Sequence, residues 1–144
     1  MPNLKKNKKQ IGGVSKRWAY GALLLIVVLT SAARIRLLDV PLERDEGEYA
    51  DAGQLILQGI APYDKVYNMK LPGIYAAYAV ILAVFGESGA GIHLGLLVVN
   101  GGIIFLLFLL GRRLFDPFTG VIAAAVYAFL SLGPSVQGFS ANAE

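Results

Sequence analysis

The chain has 144 residues, of which 56% are hydrophobic and 16% charged, and its mean hydropathy is +0.57. Soluble domains usually carry about 25% charged residues, so this composition indicates a membrane protein. The absence of cysteine excludes a disulfide framework, a cysteine metal site and a cysteine nucleophile.

A basic tail, residues 1–17, opens the chain without any acidic residue. It holds six of the thirteen lysines and arginines: Lys5, Lys6, Lys8, Lys9, Lys16 and Arg17. Directly before an apolar run, such a tail indicates a cytoplasmic N-terminus by the positive-inside rule rather than nucleic-acid binding. The apolar run at 18–33 has no small-residue cleavage site after it, so we predict an uncleaved signal anchor as the first transmembrane helix.

Residues 34–91 are expected to form an outer loop with two short juxtamembrane helices. The first helix begins in the acidic stretch LERDEGEYADAG and ends at Gly59, with apolar residues at helical spacing. Asp45 and Glu48 have the spacing of a capping box, which predicts Asp45 as the N-cap. The same carboxylate, held at a helix start beside a membrane, is also suited to act as a general base.

The second juxtamembrane helix is expected to begin at Pro72, a residue suited to the first helical position. Lys70 precedes it and is either a snorkelling lysine at the membrane boundary or a cation for a lipid phosphate. Several tyrosines in this region have the interfacial distribution that anchors membrane proteins, and one or two of them can stack on a sugar ring. They are Tyr63, Tyr67, Tyr75 and Tyr78.

Two further transmembrane helices are predicted at residues 92–111 and 118–134, joined by a cytoplasmic loop at 112–117. The apolar stretch at 71–85 would reach only about 22 Å as a helix, short of the ~30 Å hydrocarbon core. If it crossed the membrane, the arginine pair in the 112–117 loop would lie outside, against the positive-inside rule. We therefore predict an all-α membrane fold with three spans, with four spans as the alternative, and a second outer loop starting at 135–144.

Three other polar positions have less specific expectations. His93, at the start of the second span, is expected to be an interfacial residue. Asn100 lies within that span and is expected to hydrogen-bond to a neighbouring helix. Asp116 and Pro117 indicate a turn or a helix start on the cytoplasmic side.

The segment RDEGEYADAGQLILQGIAPYDKVYNMKLPGIY resembles the first outer loop of GT-C type membrane glycosyltransferases, nearest to protein O-mannosyltransferases and lipid A aminoarabinose transferases. The family's acidic pair, tyrosine-alanine pair, short turn and K-P-P-L motif correspond to Asp45-Glu46, Tyr49-Ala50, Gly59 to Tyr63, and Lys70-Leu71-Pro72-Gly73. The later GRRLFDPFTGVIAAAVYAF is similar to the family's R-L-F-x-x-x-x-G-x-x-A-A segment. In the final FSANAE, Glu144 corresponds to a second acid.

Two departures from the family pattern concern single residues: Leu71 replaces the first proline of K-P-P-L, and Glu144 stands where aspartate is commoner. The family's enzymes are several hundred residues long, so the resemblance implies that this chain is an N-terminal fragment.

The resemblance implies inverting transfer of a sugar from a polyprenyl-phosphate donor to a glycan, lipid or protein acceptor at the outer face of the plasma membrane. Asp45 matches the base that deprotonates the acceptor, Glu46 matches its partner, and Glu144 matches the second acid. Lys70 matches the group that contacts the lipid phosphate, and Tyr49 and Tyr67 complete the expected substrate-binding set. No cofactor is implied; a divalent cation is possible at the acidic pair but nothing in the sequence indicates one.

Two other functions fit the composition. A transporter or channel fragment would use the acids to line an ion route, but it should carry ionisable groups within its spans, where the sequence has only His93 at one edge. In a non-catalytic membrane subunit, Asp45 would serve only as a helix cap.

Overall fold

The computed structural model describes residues 3–66 and 70–133, with side chains described from Arg17 onward. Within these ranges the chain is all-helical, as predicted, and contains no β-strand. Its helices are α1 (Asn3–Ile35), α2 (Arg44–Leu57), α3 (Pro62–Lys65), α4 (Pro72–Phe85), α5 (Gly89–Leu114) and α6 (Pro117–Leu130).

Two of these helices are long and apolar enough to cross a membrane: the part of α1 from Arg17 to Ile35, and α5. They coincide with the first and second predicted spans. The helices α4 and α6 are also apolar but have 14 residues each, or about 21 Å. By length and composition, the described part of the chain therefore has two candidate membrane spans, and the third predicted span stays a prediction.

The helices α1, α5 and α6 pack together as a three-helix bundle. Gly111 of α5 faces Gly120 of α6 so closely that a β-carbon on Gly111 would lie 2.8 Å from the Gly120 Cα. Further along, the Tyr127 hydroxyl donates a hydrogen bond of 2.8 Å to Asn100 Oδ1, as expected for an interhelical contact. These contacts make α6 antiparallel to α5. The core of the bundle consists of Ala19, Leu23, Ile104, Phe108, Ala124 and Ala128.

The helices α2 and α4 form a second layer that rests on the N-terminal part of α5. The main contact between α5 and α4 is at Gly95, where a β-carbon would lie 2.5 Å from the Ile81 side chain. A separate apolar cluster fills the space between α2, α4 and α5. It contains Tyr49, Ala50, Ala52, Val66, Tyr75, Tyr78, Leu82 and Ile92.

Local signals explain most helix boundaries. Gly59, which follows α2, has a φ of +78°, a conformation that glycine adopts without steric cost. Pro72 and Pro117 stand at the first positions of α4 and α6, as proline prefers. Asp116 is the N-cap of α6, because its Oδ1 accepts a hydrogen bond of 2.7 Å from the Thr119 N–H. That bond holds the pKa of Asp116 below its ordinary value of 3.8.

The start of α2 differs from the prediction. Its N-cap is Glu43, and the capping box joins Glu43 to Glu46, whose Oε2 accepts a hydrogen bond of 3.0 Å from the Glu43 N–H. Asp45 is instead the second residue of the helix. The prediction of Asp45 as N-cap is therefore wrong by two positions, and the carboxylate that closes the box belongs to Glu46 rather than Glu48.

Candidate functional site

The two ends of the bundle carry different side chains. At one end, the Arg112 guanidinium lies 5.3 Å from the ring centre of Tyr20 and donates a hydrogen bond to its hydroxyl. At the other end, α1 finishes and α5 begins, and a small cavity is lined by Arg34, Leu37, His93 and Leu96. The chain between these two helices, residues 36–88, leaves and returns at that second end. It carries the predicted site residues Asp45, Glu46, Tyr49 and Lys70.

Asp45 lies in the first turn of α2 and is partly exposed. A carboxylate in a first helical turn is stabilised by the positive end of the helix dipole. Within residues 3–66 and 70–133 no hydrogen bond or ion pair involves the Asp45 side chain. An accessible carboxylate of this kind can take a proton from a hydroxyl or an amine.

Glu46 points into the protein, in contrast to its neighbour. It is 1% exposed, and both of its carboxylate oxygens face groups of the chain. Its Oε2 accepts the capping hydrogen bond, and its Oε1 lies 3.8 Å from Nε2 of His93. In this structure Glu46 is therefore a buried partner of α5, and its predicted part beside the catalytic base stays a prediction.

His93 is the functional candidate that the sequence analysis missed. It was expected at the membrane interface, but its side chain is 8% exposed and lies between α5, α2 and the segment after α1. The Nδ1 atom is 3.1 Å from the Leu38 carbonyl oxygen. Since a carbonyl oxygen only accepts hydrogen bonds, Nδ1 must carry the proton of this contact. The partners lie 47 and 55 residues away along the chain, so no local signal could have revealed them.

Arg34 holds the same end of the bundle together. It is 5% exposed, and its Nη2 donates a hydrogen bond of 2.8 Å to the Ser131 carbonyl oxygen. This bond joins the end of α1 to the end of α6. The Arg34 side chain also lines the cavity beside His93. Close to the start of α5, the buried guanidinium of Arg34 and the buried imidazole of His93 therefore lie near each other.

A cluster of tyrosines occupies the interface between α2 and α4. Tyr49 is fully buried, with its ring centre 6.1 Å from that of Tyr75 and 5.6 Å from that of Tyr78. The buried hydroxyls of Tyr49 and Tyr75 have no hydrogen-bond partner among the described residues. Burial raises the pKa of Tyr78, and the nearby Glu46 carboxylate adds to the effect. The ring of Tyr49 is enclosed by the two helices, and its predicted contact with substrate stays a prediction.

Lys70 is partly exposed and lies two residues before the start of α4. Its carbonyl oxygen accepts a hydrogen bond of 2.7 Å from the Tyr63 hydroxyl, and the Tyr63 ring lies 5.9 Å from that of Tyr75. This hydrogen bond ties the backbone at Lys70 to α3. A chain of tyrosine contacts thus connects the predicted phosphate-binding residue with the α2–α4 interface.

Two predicted site residues, Tyr67 and Glu144, lie outside the described residues. In the part of the chain that the structure describes, no group of three histidine, aspartate or glutamate side chains is arranged to hold a metal ion.

No family model matches the chain, and comparison with curated proteins and with solved structures gives no match either.

Proposed function

We propose that this chain is the N-terminal part of an inverting membrane glycosyltransferase. It transfers a sugar from a polyprenyl-phosphate donor to an acceptor at the outer face of the plasma membrane. The observation that carries the proposal is the accessible carboxylate of Asp45 in the first turn of α2, at the end of the bundle opposite to Arg112.

The charge distribution supports three spans with a cytoplasmic N-terminus. In the bundle, the start of α6 lies beside the start of the apolar part of α1, because the rings of Phe118 and Trp18 are 6.4 Å apart. The basic residues before Trp18 and the arginine pair in the last turn of α5 therefore share one end of the bundle. The positive-inside rule assigns that end to the cytoplasm. The short helix α6 is then the third span, and α2, α3 and α4 lie at the outer interface.

The chemistry needs a base and a cation on the same side of the membrane. Asp45 deprotonates the acceptor hydroxyl or amine as its oxygen or nitrogen forms the new bond to the sugar carbon. The bond from that carbon to the lipid phosphate breaks, and Lys70 stabilises the charge that develops on the leaving phosphate. Both residues belong to the connection between α1 and α5, and both precede α4. They therefore share a membrane face whether or not α4 crosses the membrane.

Labelling of single cysteines with a membrane-impermeant maleimide tests the topology. The chain contains no cysteine, so each introduced thiol is the only one. The substitutions Asp51→Cys and Glu87→Cys place thiols at exposed positions before and after α4 in the chain. Arg113→Cys places a thiol at an exposed position at the other end of the bundle. We expect labelling at 51 and 87 in intact cells and labelling at 113 only after permeabilisation. A different accessibility at 51 and 87 would mean that α4 crosses the membrane, which contradicts the proposed three-span topology.

The activity of the full-length protein is tested by measuring the release of polyprenyl phosphate. The donor is polyprenyl-phosphate mannose or polyprenyl-phosphate aminoarabinose, and a membrane extract is the source of acceptor. Asp45→Asn should reduce the rate by about 10²- to 10⁴-fold, the usual contribution of a general base. Because Asp45 is not the N-cap, this variant should lose only about 0.3–1 kcal/mol of stability. Asp51→Asn, an exposed acid on the same helix, is the matched control and should retain full activity. Equal rates for the two variants would contradict the assignment of Asp45.

A further inference from the structure

We propose that His93 is a positioning residue: it links the Leu38 carbonyl, through Nδ1, to the Glu46 carboxylate, through Nε2, and so fixes the first turn of α2. The link itself is a property of this chain. Its consequence for Asp45, which lies in the same turn, rests on the function proposed above.

The geometry joins three segments that are distant in sequence. Nδ1 of His93 lies 3.1 Å from the oxygen of Leu38, which belongs to the connection after α1. Nε2 lies 3.8 Å from Oε1 of Glu46, which belongs to the start of α2. The imidazole itself belongs to the first turns of α5. One side chain therefore holds both ends of the segment that separates α1 from α2.

The remaining oxygen of Glu46 is engaged as well. Oε2 accepts the hydrogen bond from the Glu43 N–H that closes the capping box. A rotation of the Glu46 side chain would break this bond and the contact with His93 together. Since Asp45 directly precedes Glu46, the backbone position of Asp45 follows from these two contacts.

The contact depends on the protons of the imidazole. The groups that face His93 are the Leu38 carbonyl, the Glu46 carboxylate and, across the small cavity, the Arg34 guanidinium. The carbonyl requires a proton on Nδ1. Burial of both the His93 and the Glu46 side chain keeps water from replacing either contact.

Nitrogen-15 NMR of the chain in phospholipid nanodiscs tests the link without any need for activity. His93 is the only histidine, so ¹⁵N-histidine labelling gives one imidazole, with two signals. We expect a protonated Nδ1 near pH 7, and an Nε2 signal that shifts on Glu46→Gln but not on Asp51→Asn. A ring protonated on Nε2 alone, or signals that are insensitive to Glu46→Gln, would overturn the proposal.

Transfer by the full-length protein tests the positioning role, with the two donors named above. A displacement of a catalytic group by about 1 Å can cost about 10²-fold in rate, so His93→Ala should lower kcat to about that extent and leave KM for the donor nearly unchanged. Glu46→Gln, a change of similar shape, should lower kcat in the same way. The double variant should be no slower than the slower single variant, since both substitutions break one link.

Two partial replacements separate positioning from general stability. His93→Gln can keep a donor near the Nε2 position, and His93→Asn can keep one near the Nδ1 position. We expect His93→Gln, which retains the contact with Glu46, to recover more of kcat than His93→Asn, although both leave one contact unmade. If the kcat values of the variants instead rank in the order of their unfolding midpoints, a positioning role is refuted.

The outcomes distinguish this inference from the proposed function. If the wild-type full-length protein releases polyprenyl phosphate from neither donor, the proposed function fails, and the NMR measurement still decides whether the link exists. If Asp45→Asn abolishes transfer while Glu46→Gln and His93→Ala do not change it, the proposed function stands and the positioning role is refuted.

Discussion

Gly53 lies at a close approach of α2 to α4, and Gly53→Ala is the most direct probe of that interface. A β-carbon at this position would lie 2.9 Å from the Ala79 nitrogen and 3.1 Å from the Tyr78 β-carbon. Ordinary van der Waals contact begins at 3.4 Å. Neither contacting atom can rotate away from the new methyl group, so the two helices must separate by about half an ångström.

Two opposing effects set the expected change in the free energy of unfolding. Replacing glycine by alanine inside a helix is favourable by about 1 kcal/mol, whereas overpacking a close contact costs about 1–3 kcal/mol. Gly53→Ala should therefore destabilise the protein by about 0–2 kcal/mol. Gly47→Ala in the same helix, where a β-carbon meets nothing within 4 Å, should stabilise it by about 1 kcal/mol. The difference between the variants isolates the overpacking, because the gain in helix propensity cancels.

Unfolding of both variants in mixed micelles, followed by the far-ultraviolet circular dichroism of the helices, measures this difference. Gly53→Ala should unfold more readily than Gly47→Ala by about 1–3 kcal/mol. It should also reduce transfer by the full-length protein, since the separation displaces the helix that carries Asp45. Equal stability of the two variants would refute the close packing of α2 on α4.

Three further predictions concern α5 and α6. Gly111→Ala should destabilise the bundle relative to Gly102→Ala by about 1–3 kcal/mol, because a β-carbon meets backbone at 111 and nothing within 4 Å at 102; equal unfolding midpoints would contradict the contact. Tyr127→Phe removes the donor to Asn100 and should cost about 0.6–1.5 kcal/mol in the same assay, whereas an unchanged midpoint would show that the bond adds nothing. Asp116→Ala should lower the unfolding midpoint at pH 7 more than Asp116→Asn, since asparagine keeps the cap. Because the folded-state pKa of Asp116 is lowered, its contribution is present above its ordinary value of 3.8 and is lost as the pH falls through the folded-state pKa, so wild type and Asp116→Ala should converge in acid. Equal midpoints at pH 7 would exclude the cap.

The sequence was sufficient for features that depend on neighbouring residues. Helical class, the positions of α1, α5 and α6 along the chain, and the boundaries at Gly59, Pro72 and Asp116 all follow from local chemistry. The expected interhelical bond of Asn100 is also present. The helix boundaries depend on contacts between residues close together in the chain. The hydrogen bond of Asn100 is expected because a side-chain amide among apolar residues needs a polar partner.

The start of α2 shows why the rest could not be predicted. Glu43 and Asp45 each have a glutamate three residues later, so the sequence offers two capping boxes that overlap. Glu46 forms the box that is observed, and it also faces His93 from the other side. The box that forms is thus the one whose glutamate also contacts His93, 47 residues further along the chain. A local sequence pattern carries no information about such a distant contact. The burial of His93 itself was missed for the same reason.

The division of the core into two apolar clusters has a consequence for how the protein opens. One cluster involves α2, α4 and Ile92, and the other involves α1, α6 and the later part of α5. Among the helices that the structure describes, α5 alone has residues in both. Proteins open in contiguous units whose free energies differ, and a smaller layer on one end of a helix is such a unit. The amide hydrogens of α2 and α4 should therefore exchange with solvent in events that leave those of Ile104 and Phe108 protected. A protein built in this way can rearrange the layer of α2 and α4 while the bundle of α1, α5 and α6 stays folded.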